Sequence, residues 1–316
     1  PEAVTTAWAS QIAMHYRAGF KARREALPEA PESLAADQQV RALPVEDLRR
    51  RWDGGPPIWL APAVAAEFAL ASPPDDFWDA WQALQAQGFD LALQPTRGRR
   101  KAVLLADMDS TMIQQECIDE LAALAGVGPR VAEITARAMN GELNFHEALL
   151  ARVGLLAGLP ESVVGEVLDR RITLAPGGRE LVATMRAQGA WTALVSGGFT
   201  VFTGPVAAAL GFDEHRANEL LAEDGVLTGH VGLPVLGREA KLEALRQITA
   251  RRGLTPAEAI AVGDGANDLD MLREAGAGVA LHAKPVVAAE VDLRLNHADL
   301  TGLLYLQGYA AEEFVR

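Results

Sequence analysis

The sequence predicts an α/β fold: a doubly wound parallel sheet, with a helical cap inserted after its first strand and a small α+β module in front. Three observations predict it. From Ala102 onward, apolar runs alternate with helical patterns, as βαβ units do when helices cover both faces of a parallel sheet. The first three of those runs end at polar or Gly-rich residues, and open α/β sheets bind ligands outside the carboxyl ends of their strands. Between Thr111 and Pro176 the pattern stays helical, with Ile118, Leu121 and Leu124 on one face and Ile134, Ala138 and Met139 on another.

In chain order, residues 1–100 read as a separate N-terminal module. Pro28, Pro31, Pro44, Gly54, Gly55, Pro56, Pro57, Pro62, Pro73 and Pro74 break it into short pieces. Its expected elements are a helix near Thr6 to Ala26, a strand near Ile58 to Leu60 and a helix near Phe77 to Gln87. The basic stretch Arg97 to Lys101 is expected to be a solvated linker, with a border to an anion site as the alternative. Residues 101–316 form the second unit. Its expected strands are Val103 to Ala106, Trp191 to Val195, Ala259 to Val262, Gly278 to Leu281 and Val291 to Leu295. The cap is expected at about residues 113–175, and a further helix at Gly237 to Thr249. No fixed-period repeat interrupts this plan.

Composition narrows the partners. The chain is 49% hydrophobic, enough for a sizeable core, and 29 basic against 42 acidic residues give a formal charge of -13. That balance disfavours nucleic acid and anionic membranes, so a small-molecule partner is expected, and a homodimer is compatible with it. Cys117 is the only cysteine, which excludes an intramolecular disulfide framework and a Cys-cluster zinc site and points to a reducing cytoplasm. Its thiol is expected to be buried and structural. No run approaches the ~18 apolar residues of a membrane span, and Glu2, His15, Lys21, Arg23 and Arg24 are not a secretory h-region.

Four polar clusters carry the candidate chemistry. The run Ala102 to Ala106 leads straight into Asp107-Met108-Asp109-Ser110-Thr111. In an extended chain Asp107 and Asp109 face the same way and Met108 the other, and a divalent cation would relieve the repulsion between the two carboxylates. A turn in which Asp109 and Ser110 cap the next helix explains this stretch equally well. Ser196-Gly197-Gly198, at the next strand end, offers a hydroxyl and backbone N–H groups to phosphate oxygens, or forms an ordinary turn. Lys241 on a helix is a point charge for a phosphoryl group, or a solvated surface residue. Gly263-Asp264-Gly265-Ala266-Asn267-Asp268 after the third strand is dense in oxygen ligands for a hard cation, or forms a short acidic Gly turn.

Together, Asp-x-Asp-x-Thr, the strand-end Ser, the Lys and Gly-Asp-Gly-x-x-Asp resemble the haloacid dehalogenase (HAD) superfamily of phosphotransferases. Within it, Ala106 to Glu120 (ADMDSTMIQQECIDE), Ala138-Met139-Asn140-Gly141, Asn144-Phe145 and Arg152 resemble the phosphoserine phosphatases. The resemblance covers about Lys101 to the C-terminus. It implies a HAD-like (Rossmann-like) core, and for the first hundred residues an ACT-like module of degenerate form that is assigned no ligand.

The resemblance also implies roles. Asp107 is the nucleophile that forms an aspartyl phosphate, and Asp109 the general acid and then base. Mg²⁺ is held by the carboxylates of Asp107 and Asp264 and the main-chain carbonyl of Asp109, with Asp268 behind them. Ser196, Gly197, Lys241 and Asn267 bind the phosphoryl oxygens. In the cap, Glu116 meets the α-ammonium of phosphoserine, Arg152 its carboxylate, and Met139 and Phe145 wall the pocket. Without the surrounding motifs, Glu116 and Arg152 would read as surface charges and Met139 and Phe145 as cap core. The expected reaction is hydrolysis of phosphoserine, the last step of serine biosynthesis. Rivals are a phosphatase or phosphotransferase acting on another small phosphomonoester such as phosphohomoserine, a metal-free dehalogenase, which Asp109 argues against, and a non-catalytic amino-acid sensor. His146 and His282 are assigned no role.

Overall fold

The computed structural model describes residues 3–9, 44–139 and 142–316; for 3–9 and for Met139 it describes the backbone alone. Four strands, β1 (Ala3–Ala9), β2 (Ile58–Ala61), β3 (Ala65–Leu70) and β4 (Phe89–Pro95), form an antiparallel sheet in the order β2-β3-β1-β4. Helices at residues 44–51 and Phe77–Gln85 cover one face, burying Val45, Leu48, Phe77 and Leu84 against Phe68, Leu70 and Leu91. The helix expected near Thr6 to Ala26 is corrected where it can be seen: Thr6 to Ala9 belong to β1, and the remainder lies outside the described residues. Pairing with β3 on one side and β4 on the other decides the conformation of β1, a tertiary effect that local pattern does not carry.

The second sheet is parallel. It comprises β5 (Val103–Ala106), β6 (Trp191–Phe199), β7 (Glu214–Asn218), then, beyond the separate hairpin β8 (Leu220–Glu223) and β9 (Val226–Val231), β10 (Ala259–Gly263), β11 (Ala277–Leu281) and β12 (Leu293–Leu295). Its order is β12-β11-β10-β5-β6-β7. The chain builds β6 and β7 on one side of β5, then crosses to β10, β11 and β12 on the other. The direction of winding therefore reverses between β5 and β10, which is where such sheets open a crevice at their carboxyl ends.

Strand β5 is wholly buried because every residue is apolar. Leu104 and Ala106 face one core, and Val103 and Leu105 the other. Each buried Leu contributes roughly 1.5 to 3 kcal/mol of transfer free energy, so the strand that ends at Asp107 is a rigid anchor. The expected strands recur with shifted ends: β6 runs on to Phe199, β11 starts at Ala277, and β12 starts only at Leu293. Between β5 and β6 lie the helices Cys117–Leu124, Gly128–Met139, Phe145–Gly154 and Ser162–Arg170, followed by Gly178–Ala187. The helix Phe145–Gly154 opens on a capping box, in which Asn144 accepts from the Glu147 N–H and the Glu147 carboxylate accepts from the Asn144 N–H, both at 2.9 Å. Among the described residues no helix is long and apolar enough to cross a membrane.

The basic stretch Arg97 to Lys101 is more than the expected solvated linker. Arg99 donates to Glu67 at 2.6 Å and to the Leu306 carbonyl at 3.1 Å, and Arg100 pairs with Glu313 at 2.7 Å and lies 4.1 Å from the Tyr309 ring centroid. Asp90 of β4, only 1% exposed, accepts from the N–H groups of Asn296, His297 and Ala298 at 2.9, 3.0 and 2.8 Å. These contacts join the first sheet to the segment that follows β12.

Candidate active site

Four segments converge where the winding of the parallel sheet reverses: the turn after β5, the end of β6, the helix Arg238–Arg251 and the turn after β10. The Asp107 N–H donates to the Val262 carbonyl of β10 at 3.0 Å, extending the β5–β10 ladder one residue beyond the strand and fixing the carboxylate that follows. Past Asp107 the chain turns sharply. Ser110 adopts φ 56°, and the N–H groups of Thr111, Met112 and Ile113 all point at the Met108 carbonyl, at 3.3, 2.9 and 3.0 Å. No helix starts there. The first cap helix begins at Cys117 with Glu116 at its N-cap, so Ser110 and Thr111 are not caps. Instead the Ser110 hydroxyl donates to the Glu116 carboxylate at 2.9 Å and the Thr111 hydroxyl to Asp264 at 3.4 Å. Asp109 Oδ1 accepts from the Cys117 N–H at the start of that helix at 2.8 Å, and its Oδ2 from the Ser196 hydroxyl at 3.1 Å.

Ser196 stands on β6 at 3% exposure, and its Oγ accepts from the Gly198 N–H at 2.8 Å. Asn218, at the end of β7 and assigned no role from sequence, donates to the carbonyls of Gly197 at 2.9 Å and Leu236 at 3.1 Å and accepts from the Leu236 N–H at 2.6 Å. It thereby ties the Ser-Gly-Gly loop to the start of helix Arg238–Arg251. That helix buries Lys241, whose Nζ lies 2.6 Å from Asp107 Oδ1 and 2.6 Å from Asp268 Oδ1. Burial works against the ammonium charge, but the two carboxylates outweigh it and hold the Lys241 pKa above its ordinary value.

After β10, Asp264, Asp268 and Asp107 each place an oxygen within 4.8 Å of the others. Gly263 makes this possible, because a Cβ there would lie 2.3 Å from Asp268 Cγ. Burial, reinforced by Asp268, pushes the Asp107 carboxyl well above its usual range, with Lys241 opposing. Burial also raises Asp264 against Lys284, and Asp109 against its hydrogen bonds. Both Asp268 oxygens are engaged, by Lys241 and by the Gly265 N–H at 3.0 Å. Asp264 has only the long Thr111 contact and Lys284 Nζ at 3.9 Å. Four carboxylates, Asp107, Asp109, Asp264 and Asp268, thus face two lysines, and a divalent cation on the free lone pairs of Asp107 and Asp264 fits that deficit.

A cavity of about 590 Å³ opens over these acids, bounded across from them by the cap. Asp107, Asp109, Ser196, Gly197, Asp264 and Asn267 form its floor, and Glu116, Phe145 and Arg152 its cap side. The Phe145 ring packs closely against the loop, since a Cβ on Gly197 would lie 3.2 Å from Phe145 Cζ. Glu116 keeps solvent access, yet the surrounding protein and nearby Asp109 push its pKa up to about 7. Half-buried Arg152 spends one N–H on the Ala148 carbonyl at 3.2 Å. Burial lowers its pKa, and Asp119, Glu116 and Asp109 oppose that.

Lys241 and Asp268 touch the acids but not the open cavity, and Met139 closes a cap helix with its side chain outside the described residues. Thr135, Ala138, Leu149, Arg238 and Lys284 also line the cavity, and the sequence reading assigned none of them a role. Their contribution depends on which helix faces meet, which short motifs do not encode. The exposed His146 and His282 do not line it. Cys117 is buried as expected, and burial next to Asp109 pushes its thiol pKa up.

A sequence model of the family described as haloacid dehalogenase-like hydrolase matches residues 104–273. Over 256 residues the chain is 43% identical to a phosphoserine phosphatase of Streptomyces coelicolor, a match that covers 80% of this chain and 62% of the relative. The chain therefore spans less than two thirds of that relative's length. Among solved structures, a HAD family hydrolase from Salmonella enterica serovar Typhi superposes with a TM-score of 0.79 at 28% identity, covering 96% of this chain and 98% of that one. A structure described as a phospho-aspartyl intermediate analogue of phosphoserine phosphatase gives a TM-score of 0.61 at 40% identity, covering 65% and 98%.

Proposed function

The chain belongs to the haloacid dehalogenase-like hydrolases, and from that premise we propose that it hydrolyses O-phospho-L-serine to L-serine and phosphate, with Asp107 as nucleophile and Mg²⁺ as the metal. The observation that carries the reading is one cavity with a phosphoryl-transfer floor, Asp107 on Lys241 at 2.6 Å, under a cap that presents Glu116 and Arg152. A zwitterionic amino-acid phosphate needs both signs in the cap and positive charge at the floor. We assign residues 101–316 to the phosphatase unit and 1–100 to a separate module. The buried free thiol of Cys117 supports a reducing, cytoplasmic setting.

Lys241 holds one Asp107 oxygen, and the other has no protein partner among the described residues and is available to attack phosphorus. Asp109, held by Ser196 and the Cys117 N–H, stands two residues away. Its raised pKa suits it to donate a proton to the departing serine oxygen and then to take one from the water that cleaves the acyl phosphate. The Gly197 backbone and Asn267 offer donors to the phosphoryl oxygens, where charge concentrates in the transition state; the Ser196 hydroxyl joins them by turning from Asp109, and Lys241 adds positive charge from behind Asp107. Asp107 and Asp264 would hold Mg²⁺, with the Asp109 carbonyl as a further ligand and Asp268 orienting Lys241. When bound, the ion would supply positive charge that favours ionised carboxylates beside a phosphoryl dianion. Phe145 closes the cap against the loop and shields the intermediate from bulk water.

Arg152→Ala tests the substrate assignment. Truncating one partner of a buried charge pair costs about 2 to 5 kcal/mol, and for a half-buried guanidinium the lower end applies, roughly 30-fold in kcat/KM. That loss is expected for phosphoserine and not for p-nitrophenyl phosphate, which has no carboxylate. Equal losses on the two esters would remove Arg152 from substrate recognition.

Glu116 predicts a pH dependence. Its carboxyl is charged above about pH 7 and protonated below it, so it loses its attraction for the substrate ammonium as pH falls through 7. KM for phosphoserine should rise about tenfold per unit below that point, and Glu116→Gln should flatten the rise. p-Nitrophenyl phosphate shares the phosphate titration but lacks the ammonium, and should show no such limb. Identical KM profiles for wild type and Glu116→Gln would contradict the role.

A further inference from the structure

A second cavity, of about 410 Å³, opens at the amino-terminal end of the parallel sheet, opposite the acids. It lies between the end of β4, the Arg97 to Lys101 segment, the end of helix Leu269–Glu274, the start of β11 and the approach to β12. None of its lining residues lines the catalytic cavity. Four cations, Arg97, Arg99, Lys101 and Arg273, face two acids, Glu290 and Asp292, on a chain whose formal charge is -13.

Two of the four cations are neutralised and held, Arg99 by Glu67 at 2.6 Å and Arg273 by Glu290 at 2.7 Å. The other two are not. Arg97 has no side-chain partner among the described residues, and the Lys101 ammonium reaches the Ala257 carbonyl at 2.8 Å but no carboxylate. Burial lowers the Lys101 pKa, and the nearby Glu258 carboxylate opposes that without pairing with the ammonium. Asp292 is exposed. A guanidinium and an ammonium that pair with no carboxylate among the described residues line one cavity beside two cations already fixed in place, an arrangement complementary to a ligand with more than one negative group.

We propose that this cavity is a second binding site, for a small polyanion carrying two or more phosphate or carboxylate groups. The basic stretch that leads into the parallel sheet is then a ligand-binding segment as well as a connection.

Calorimetric titration of the full chain, dialysed free of divalent cations, with tripolyphosphate and separately with citrate tests the proposal and distinguishes phosphate from carboxylate chemistry. At least one probe should bind saturably. Affinity should fall about tenfold or more in the double variant Arg97→Glu with Lys101→Gln, the scale of losing a charge-assisted hydrogen bond. Asn267→Ala, in the catalytic cavity, should retain that binding, and the double variant should retain phosphoserine turnover measured without polyanion. Should the double variant melt early, Arg97→Ala, which breaks no side-chain hydrogen bond or ion pair among the described residues, replaces it and should still weaken binding. Absence of saturable binding, or binding that is indifferent to Arg97 and Lys101 but lost in Asn267→Ala, would overturn the proposal.

Discussion

Replacing Asp107 with Asn should abolish turnover of phosphoserine, by roughly 10⁴-fold or more, the scale on which removing a catalytic nucleophile acts. The fold should survive. The amide matches the carboxylate in shape and still offers Lys241 an acceptor oxygen, and it relieves the repulsion between Asp107 and Asp268 that helps to raise the Asp107 pKa. Phosphate release together with a thermal melt separates the two effects. A folded variant with near wild-type turnover would show that another group attacks phosphorus.

Lys241→Met should damage both stability and activity. The side chain is 1% exposed and bridges Asp107 and Asp268 at 2.6 Å each, so a neutral thioether of similar length leaves two buried carboxylates without their cation. Removing one partner of a buried ion pair costs about 3 to 5 kcal/mol, and losing a donor to a developing oxyanion slows a reaction by about 10² to 10³. The stability loss should depend on pH. In the variant Asp107, already raised by burial, loses the cation that opposes the rise, so the folded state binds more protons than the unfolded chain, and stability is best kept at low pH and lost as pH rises through the folded value. Chemical denaturation of wild type and variant at pH 5 and pH 8 checks the sign. A deficit that shrinks toward pH 8 would mean that Lys241 does not neutralise these acids.

The parallel sheet was legible because β5 and β10 are short, continuous apolar runs and their polar successors are adjacent in sequence. Asp107, Asp109, Asp264 and Asp268 therefore emerged with their spacing. Lys241 emerged only as a helical lysine that could equally be solvated: its burial between two carboxylates follows from how helix Arg238–Arg251 packs, which no local pattern carries. Asn218, Arg238 and Lys284 reach the site from elements with no motif of their own. In the first sheet, β3 (Ala-Ala-Glu-Phe-Ala-Leu) lacks β-branched residues, and β1 is set by its two neighbours. Edge strand β7 (Glu-His-Arg-Ala-Asn) is too polar to announce itself. The hairpin β8–β9 was missed, although its signal is local: Asp224 and Gly225, at φ 50° and 76°, form the Asp-Gly turn that joins such strands.

The central claim, hydrolysis of a phosphorylated amino acid by an acid cluster that holds a divalent cation, is tested most directly by phosphate release from a panel of small phosphomonoesters, with Mg²⁺ and with EDTA. O-phospho-L-serine should give the highest kcat/KM, ahead of phosphohomoserine and p-nitrophenyl phosphate, EDTA should stop turnover and Mg²⁺ should restore it. Full activity in EDTA, or a higher kcat/KM for an ester that lacks the amino-acid head, would contradict the account.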